Sequence, residues 1–174
     1  SIEIVQVLGN TDIEITAIQA DSRRIENGNL FVAQTGTVVD GHEFIAQCIA
    51  QGAFAVVLDN PLYMPTESNG TTYILVKNSS QALGQMAHKW YGEPSKALRL
   101  IGATGTNGKT TTATLLYRLF KSLGYKVGLL STVVNYVDDQ AIPSTHTTPD
   151  ALSLNALLAQ MVQEGCSYAF MEVS

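Results

Sequence analysis

The densest chemistry in this 174-residue chain lies at positions 101–116, IGATGTNGKTTTATLL. An apolar run enters Gly105, Thr106, Asn107 and Gly108, continues through Lys109, Thr110 and Thr111, and passes into an amphipathic stretch. Strand, glycine-rich turn and helix in that order are the setting in which successive backbone amides converge on one anion. The glycines let the backbone curl, and the helix N-terminus adds fractional positive charge. A lysine supplies a mobile cation for the outer phosphates, and the hydroxyl after it can ligate Mg²⁺. Ala103 stands where the pattern G-x-x-x-x-G-K-[ST] has its first glycine, and the earlier glycine is moved to position 105. The spacing predicts a phosphate cradle of variant wording, with Lys109 as its catalytic cation. The plain alternative is a glycine-rich turn with a solvated lysine.

Three further groups could do chemistry. Glu172 ends the apolar run YAFMEVS, and in a parallel sheet a carboxylate there would sit beside the phosphate loop, able to hold Mg²⁺ together with Thr110. The plain alternative is a glutamate emerging into solvent. THTTPD (145–150) carries His146, Thr147 and Thr148 just before Pro149 and Asp150, which by pattern alone is a helix-capping arrangement. In Asp21-Ser22-Arg23, by pattern a strand-end turn, Asp21 bonds nearby backbone. His42, after a turn glycine, and His88, on the helix face away from Leu83 and Met86, carry no expected role. No Ser–His–Asp or Cys–His grouping suggests a hydrolase.

The elements that must position these residues follow from periodicity. Strands are expected at 4–9, 13–20, 29–33, 53–59 and 72–77, with a helix through Ile45, Cys48 and Ile49 that stops at Gly52. Ser79 or Ser80 is expected to cap a helix carrying Leu83, Met86, Ala87 and Trp90. YGEPS (91–95) is the best domain boundary, dividing the chain into 1–94 and 95–174. Beyond it come a strand at 98–104, a helix at 109–123 with Leu116, Leu119, Phe120 and Leu123 on one face, and a strand at 126–132. A hairpin follows, then a helix at 149–164 with Leu154, Leu157, Leu158, Met161 and Val162 inward, and a strand at 168–174. Strands alternating with helices imply parallel sheets with right-handed crossovers. The second unit has three convincing strands and no closing elements, and so reads as the first part of a larger nucleotide domain.

Composition narrows the classes. Hydrophobic residues make up 45% and charged residues 14%, enough for a real core. The net charge of −5, without a Lys/Arg run, leaves nucleic acid without its electrostatic footprint. No apolar run approaches the ~18 residues of a membrane span. Cys48 and Cys166 are expected as buried free thiols, which suits a reducing cytoplasm.

The wording GTNGKTT resembles the ATP loop of the Mur ligases, the amide-forming enzymes of bacterial cell-wall precursor synthesis. THTTPD, GLLSTV (128–133) and MEVS (171–174) resemble other signatures of the same family. ADSRRIENGNLFVAQTG and DGHEFIAQCIAQGAFAVV resemble its uridine-binding domain, so the similarity covers nearly the whole chain. The resemblance implies a small N-terminal α/β uridine-binding domain followed by the first part of a P-loop, Rossmann-like ATPase domain. It implies ATP and Mg²⁺, a UDP-N-acetylmuramoyl dipeptide, and an incoming amino acid, diaminopimelate or lysine, joined through an acyl phosphate. Under it, residues 105–111 hold the nucleotide, while Thr110 and Glu172 hold the metal. Ala20 and Ser22 contact the uridine diphosphate, and Thr37-Val38-Val39 add backbone contacts. His146, Thr147, Thr148 and Ser174 touch the muramoyl-peptide substrate. The family needs a C-terminal domain and a modified lysine absent from these residues, so the chain is expected to be inactive alone. It is expected to be a monomer. Two rivals remain at this point: a non-catalytic uridine-nucleotide binding module, and an unrelated P-loop phosphotransferase.

Overall fold

The computed structural model describes residues 2–36, 39–143 and 150–173. It divides into two compact units, Ser1–Met86 and Ala87–Ser174.

In the first unit, β1 (Ile4–Leu8), β2 (Ile18–Gln19), β3 (Leu30–Val32), β4 (Ala55–Leu58) and β5 (Thr72–Val76) form one sheet in the order β1-β5-β4-β3-β2. β2 through β5 run parallel, and β1 pairs antiparallel with β5. The unbroken apolar runs of β3 and β4 are explained by burial of every residue in them, as expected of parallel strands covered on both faces. Between them a 3₁₀ turn (Gly41–Phe44) leads into α1 (Ile45–Ala50), which ends before Gly52 at φ +104°. Ile45 and Cys48 of α1 pack on Phe31, Val56 and Leu58.

Two expectations change here. The alternating segment 13–20 forms a strand only at Ile18–Gln19. The Thr16 amide donates to the Gly28 carbonyl and its hydroxyl to that of Asn27, so this stretch is held by a turn rather than by a ladder. The helix α2 (Ser79–Trp90) is capped by neither serine: Asn78 Oδ1 accepts the Gln81 amide at 2.7 Å, while Ser79 is turned onto Asp59. On α2, Leu83 and Ala87 are buried, whereas Trp90 is 46% exposed.

The second unit holds β6 (Arg99–Ala103), α3 (Lys109–Ser122), β7 (Val127–Leu130), β8 (Val134–Val137), β9 (Gln140–Pro143), α4 (Ala151–Gln163) and β10 (Tyr168–Glu172). The sheet order is β6-β10-β7-β8-β9, with β10 inserted in parallel between β6 and β7 and the β8–β9 hairpin antiparallel. Phe120 of α3 meets Tyr168 and Phe170 of β10 edge to face. α4 packs through Leu158 and Met161, and the absence of a side chain at Gly128 leaves room for the Met161 thioether.

The buried face of α3 differs from the expected one. Ala113 and Tyr117 are buried, with Leu116 and Phe120 packed beside them, while Leu119 and Leu123 are more than half exposed. The Tyr117 hydroxyl donates to the Asp138 carbonyl and Lys121 bridges Asp138 and Asp139. These contacts to the hairpin turn set the rotation of the helix. Both cysteines are free and buried, and burial pushes the Cys48 thiol up to about 11.

Candidate functional site

β6 ends at Ala103, and the chain turns through Gly105 at φ +143° and Gly108 at φ +79° before α3 begins. Both backbone conformations are ones that side chains disfavour, which explains glycine at these two positions. Gly108 is the N-cap of α3, and no side chain caps the helix. The first-turn amides are those a helix cannot satisfy internally, so they face the loop as anion donors. Lys109 Nζ donates to the Gly105 carbonyl at 2.7 Å, folding the cation back over the cradle.

The topology brings Glu172 to this loop. It pairs in register with Ala103, and the Val173 amide donates to the Ala103 carbonyl at 2.9 Å. The Thr132 amide and hydroxyl both donate to Glu172 Oε2, at 3.2 and 3.1 Å. Burial pushes the Glu172 carboxyl upward. The hydrogen bonds from the Thr132 amide and from the Thr110 and Thr132 hydroxyls, with the charge of Lys109, outweigh that effect and hold it below its ordinary range. Lys109, Thr110 and Glu172 therefore come together as the spacing predicted. Thr132 lies in the stretch GLLSTV but had no role by spacing; its contact depends on β10 lying against β7, a pairing the local sequence does not encode.

No group of three His, Cys, Asp or Glu that could hold a metal occurs among the described residues. A cation at this place would have one hydroxyl and one carboxylate from the protein. That donor set suits Mg²⁺, which keeps several waters and takes phosphate oxygens.

In the first unit, a cavity of about 320 Å³ is lined by Ala20, Asp21, Ser22, Phe31, Gln34, Gly36, Val39, Gly41 and Phe44. Ala20 and Ser22 thus share one cavity. Ser22 opens a 3₁₀ turn capped by Asp21, whose Oδ1 accepts the Arg23 amide and Nε while Oδ2 accepts Nη2 at 2.7 Å. The Arg23 side chain and amide hold the Asp21 carboxyl down at about 2. His146, Thr147, Thr148 and Ser174, and Thr37 and Val38 of the second uridine segment, lie outside the described residues.

Two histidines take places that spacing did not foresee. His42 is fully buried between Asp40 and Asp59. His88 Nδ1 lies 3.3 Å from Asn155 Oδ1, and its Nε2 lies 3.4 Å from Ser95 Oγ.

A parallel sheet feeding a glycine-rich loop, a lysine at a helix start and a strand-end carboxylate define a phosphate-loop nucleotide-binding unit, here preceded by a separate α/β unit. Residues 14–91 match the family described as "Mur ligase family, catalytic domain" and residues 103–174 the "Mur ligase middle domain". The chain belongs to the Mur ligase family. It is 54% identical over its whole length to 36% of the UDP-N-acetylmuramoyl-L-alanyl-D-glutamate--2,6-diaminopimelate ligase of Bacteroides fragilis. It is 52% identical to 35% of the same-named protein of Parabacteroides distasonis. A solved structure of a ligase of that name superposes on 92% of the chain with a TM-score of 0.72 at 27% identity, using 32% of its own length. The chain spans about a third of the length of the curated relatives it matches. Among the described residues no helix is long and apolar enough to cross a membrane.

Proposed function

We propose that this chain is the substrate-handle and nucleotide-binding portion of an ATP-dependent amide ligase. Its reaction adds diaminopimelate to UDP-N-acetylmuramoyl-L-alanyl-D-glutamate in peptidoglycan precursor synthesis. Residues 1–94 serve as the uridine-binding domain and 95–174 as the start of the ATP-binding domain, acting as a monomer in the cytoplasm. The convergence of Lys109, Thr110 and Glu172 on an uncapped helix start carries the reading. The choice of diaminopimelate rests on the names of the relatives that are more than half identical to the chain.

The loop amides of residues 105–111 bind phosphate oxygens, and Lys109 exchanges its bond to the Gly105 carbonyl for the outer phosphates. Thr110 and Glu172 would hold Mg²⁺, with Thr132 orienting the carboxylate. With ATP and Mg²⁺ bound, a substrate carboxylate oxygen would attack the γ-phosphorus as the bond to ADP breaks. The neutral amine would then displace phosphate from the acyl phosphate, its proton passing to the released phosphate or to solvent. The share of these residues is charge neutralisation and placement. Ala20 and Ser22 take the uridine diphosphate, and His146, Thr147, Thr148 and Ser174 the muramoyl peptide. Holding the nucleotide handle at one end brings the distant carboxylate into line.

Calorimetry on the chain tests this reading. Separate saturable binding of UDP-N-acetylmuramoyl dipeptide and of MgATP supports it. Binding of the first without the second would favour a non-catalytic uridine module. Phosphorylation of a small hydroxyl compound without consumption of the muramoyl peptide would favour a phosphotransferase.

A further inference from the structure

We propose that His42 is a positioning residue for the first unit's cavity: clamped between two carboxylates, it holds in place the backbone that forms one cavity wall. The role in binding rests on the reading of that cavity as the uridine diphosphate site.

The imidazole has no exposed surface. Nδ1 lies 2.6 Å from Asp40 Oδ1, and the same oxygen accepts the His42 amide at 3.0 Å. On the other side, Nε2 lies 3.3 Å from the Asp59 amide and 3.2 Å from Asp59 Oδ1. A proton on Nδ1 lets the ring donate to Asp40 while Nε2 accepts from the Asp59 amide. Asp59 Oδ2 in turn accepts the Ser79 amide and hydroxyl, at 2.9 and 2.8 Å. The Tyr63 ring, 5.3 Å away, closes the remaining side. The clamp thus ties Asp40 to the end of β4 and the start of α2.

What it anchors is the cavity wall. Asp40 bridges Thr35, the Gly41 amide donates to the Gln34 carbonyl at 2.9 Å, and the Gly36 amide donates to the Val39 carbonyl at 3.1 Å. A Cβ at Gly36 would lie 2.6 Å from the Val39 oxygen, and one at Gly41 2.7 Å from the Gln34 oxygen, so this backbone approach admits no side chain. Gln34, Gly36, Val39 and Gly41 line the cavity together with Ala20 and Ser22. Gln34 Nε2 also donates to Ser80 Oγ at 2.8 Å, a second tether to α2. Hydrogen bonds from the His42 amide and ring hold the Asp40 carboxyl below its ordinary range. His42 lies behind the wall rather than among the residues lining the cavity. It acts through the wall backbone that Asp40 pins.

The test compares the unaltered chain with His42→Phe, which fills the volume but makes neither bond, and His42→Asn, which keeps a donor toward Asp40. UDP and MgATP are titrated separately, and amide hydrogen exchange is followed without ligand. The expected result is a roughly tenfold rise in the UDP dissociation constant for His42→Phe and less than about threefold for His42→Asn, with MgATP affinity unchanged in both. The Gly36 and Gly41 amides should exchange faster in His42→Phe while Val32 and Val57 keep their protection. Unchanged UDP affinity in folded His42→Phe overturns the proposal. So does equal loss in both variants with protection lost across the whole unit, which would mark His42 as core support alone. Failure of the unaltered chain to bind UDP overturns the uridine reading itself, and it is recognisable because no variant is involved.

Discussion

Thr132 grips one oxygen of Glu172 twice: its amide lies 3.2 Å and its hydroxyl 3.1 Å from Oε2. Glu172 ends β10 and Thr132 lies two residues beyond the end of the adjacent parallel β7, so the sheet delivers both the carboxylate and the group that orients it. Losing the hydroxyl leaves the strand pairing intact but frees the carboxylate to rotate. Thr132→Val should raise the Mg²⁺ concentration needed for half-maximal ATP binding to the chain roughly tenfold, and Thr132→Ser should restore it. Mn²⁺ binding followed by electron paramagnetic resonance in the presence of ATP should weaken in parallel.

The Asp21–Arg23 pair gives a pH signature. The folded Asp21 carboxyl sits at about 2, below its ordinary 3.8. A depressed value means that the pair stabilises the fold above the ordinary value, and this contribution fades as pH falls from 3.8 toward 2. Arg23→Gln should move the Asp21 carboxyl midpoint, followed by carbon chemical shift, upward toward 3.8. It should also remove that part of the acid dependence of unfolding.

Gly128 and Met161 should behave as one packing unit. A Cβ at Gly128 would overlap the Met161 thioether. Gly128→Ala alone should destabilise the protein by roughly 1–3 kcal/mol. In the Met161→Ala background, which opens the space, the same change should cost under about 0.5 kcal/mol. Denaturant unfolding of the four chains of the cycle checks this.

What the sequence made legible was local. The turn at 105–108 reads directly because Gly108, Lys109 and Thr110 are consecutive at the start of an amphipathic stretch, and β4 and β7 read as strands because burial on both faces leaves them wholly apolar. Pairing across distance was harder to read. Setting Glu172 against Ala103 requires the last strand to enter between β6 and β7, and a spacing argument could only anticipate that from the parallel alternation. The α3 face was misread because leucine type suggested burial, whereas Tyr117 and Lys121 bind the hairpin turn and rotate Leu119 and Leu123 outward. The α2 cap went to Asn78 because a distant aspartate, Asp59, had already engaged Ser79. The His42 clamp draws on positions 40, 42, 59 and 79, so no local pattern announces it.

On the proposed reading, the turn at 105–108, with Lys109 behind it, wraps a nucleoside triphosphate. Calorimetric titration of MgATP into the chain and into Lys109→Met tests it most directly. The expected result is saturable binding to the unaltered chain, weakened at least about tenfold by the substitution, since a bond from a charged donor to phosphate is lost. Equal affinity in the two chains, or no binding to the unaltered one, would contradict it.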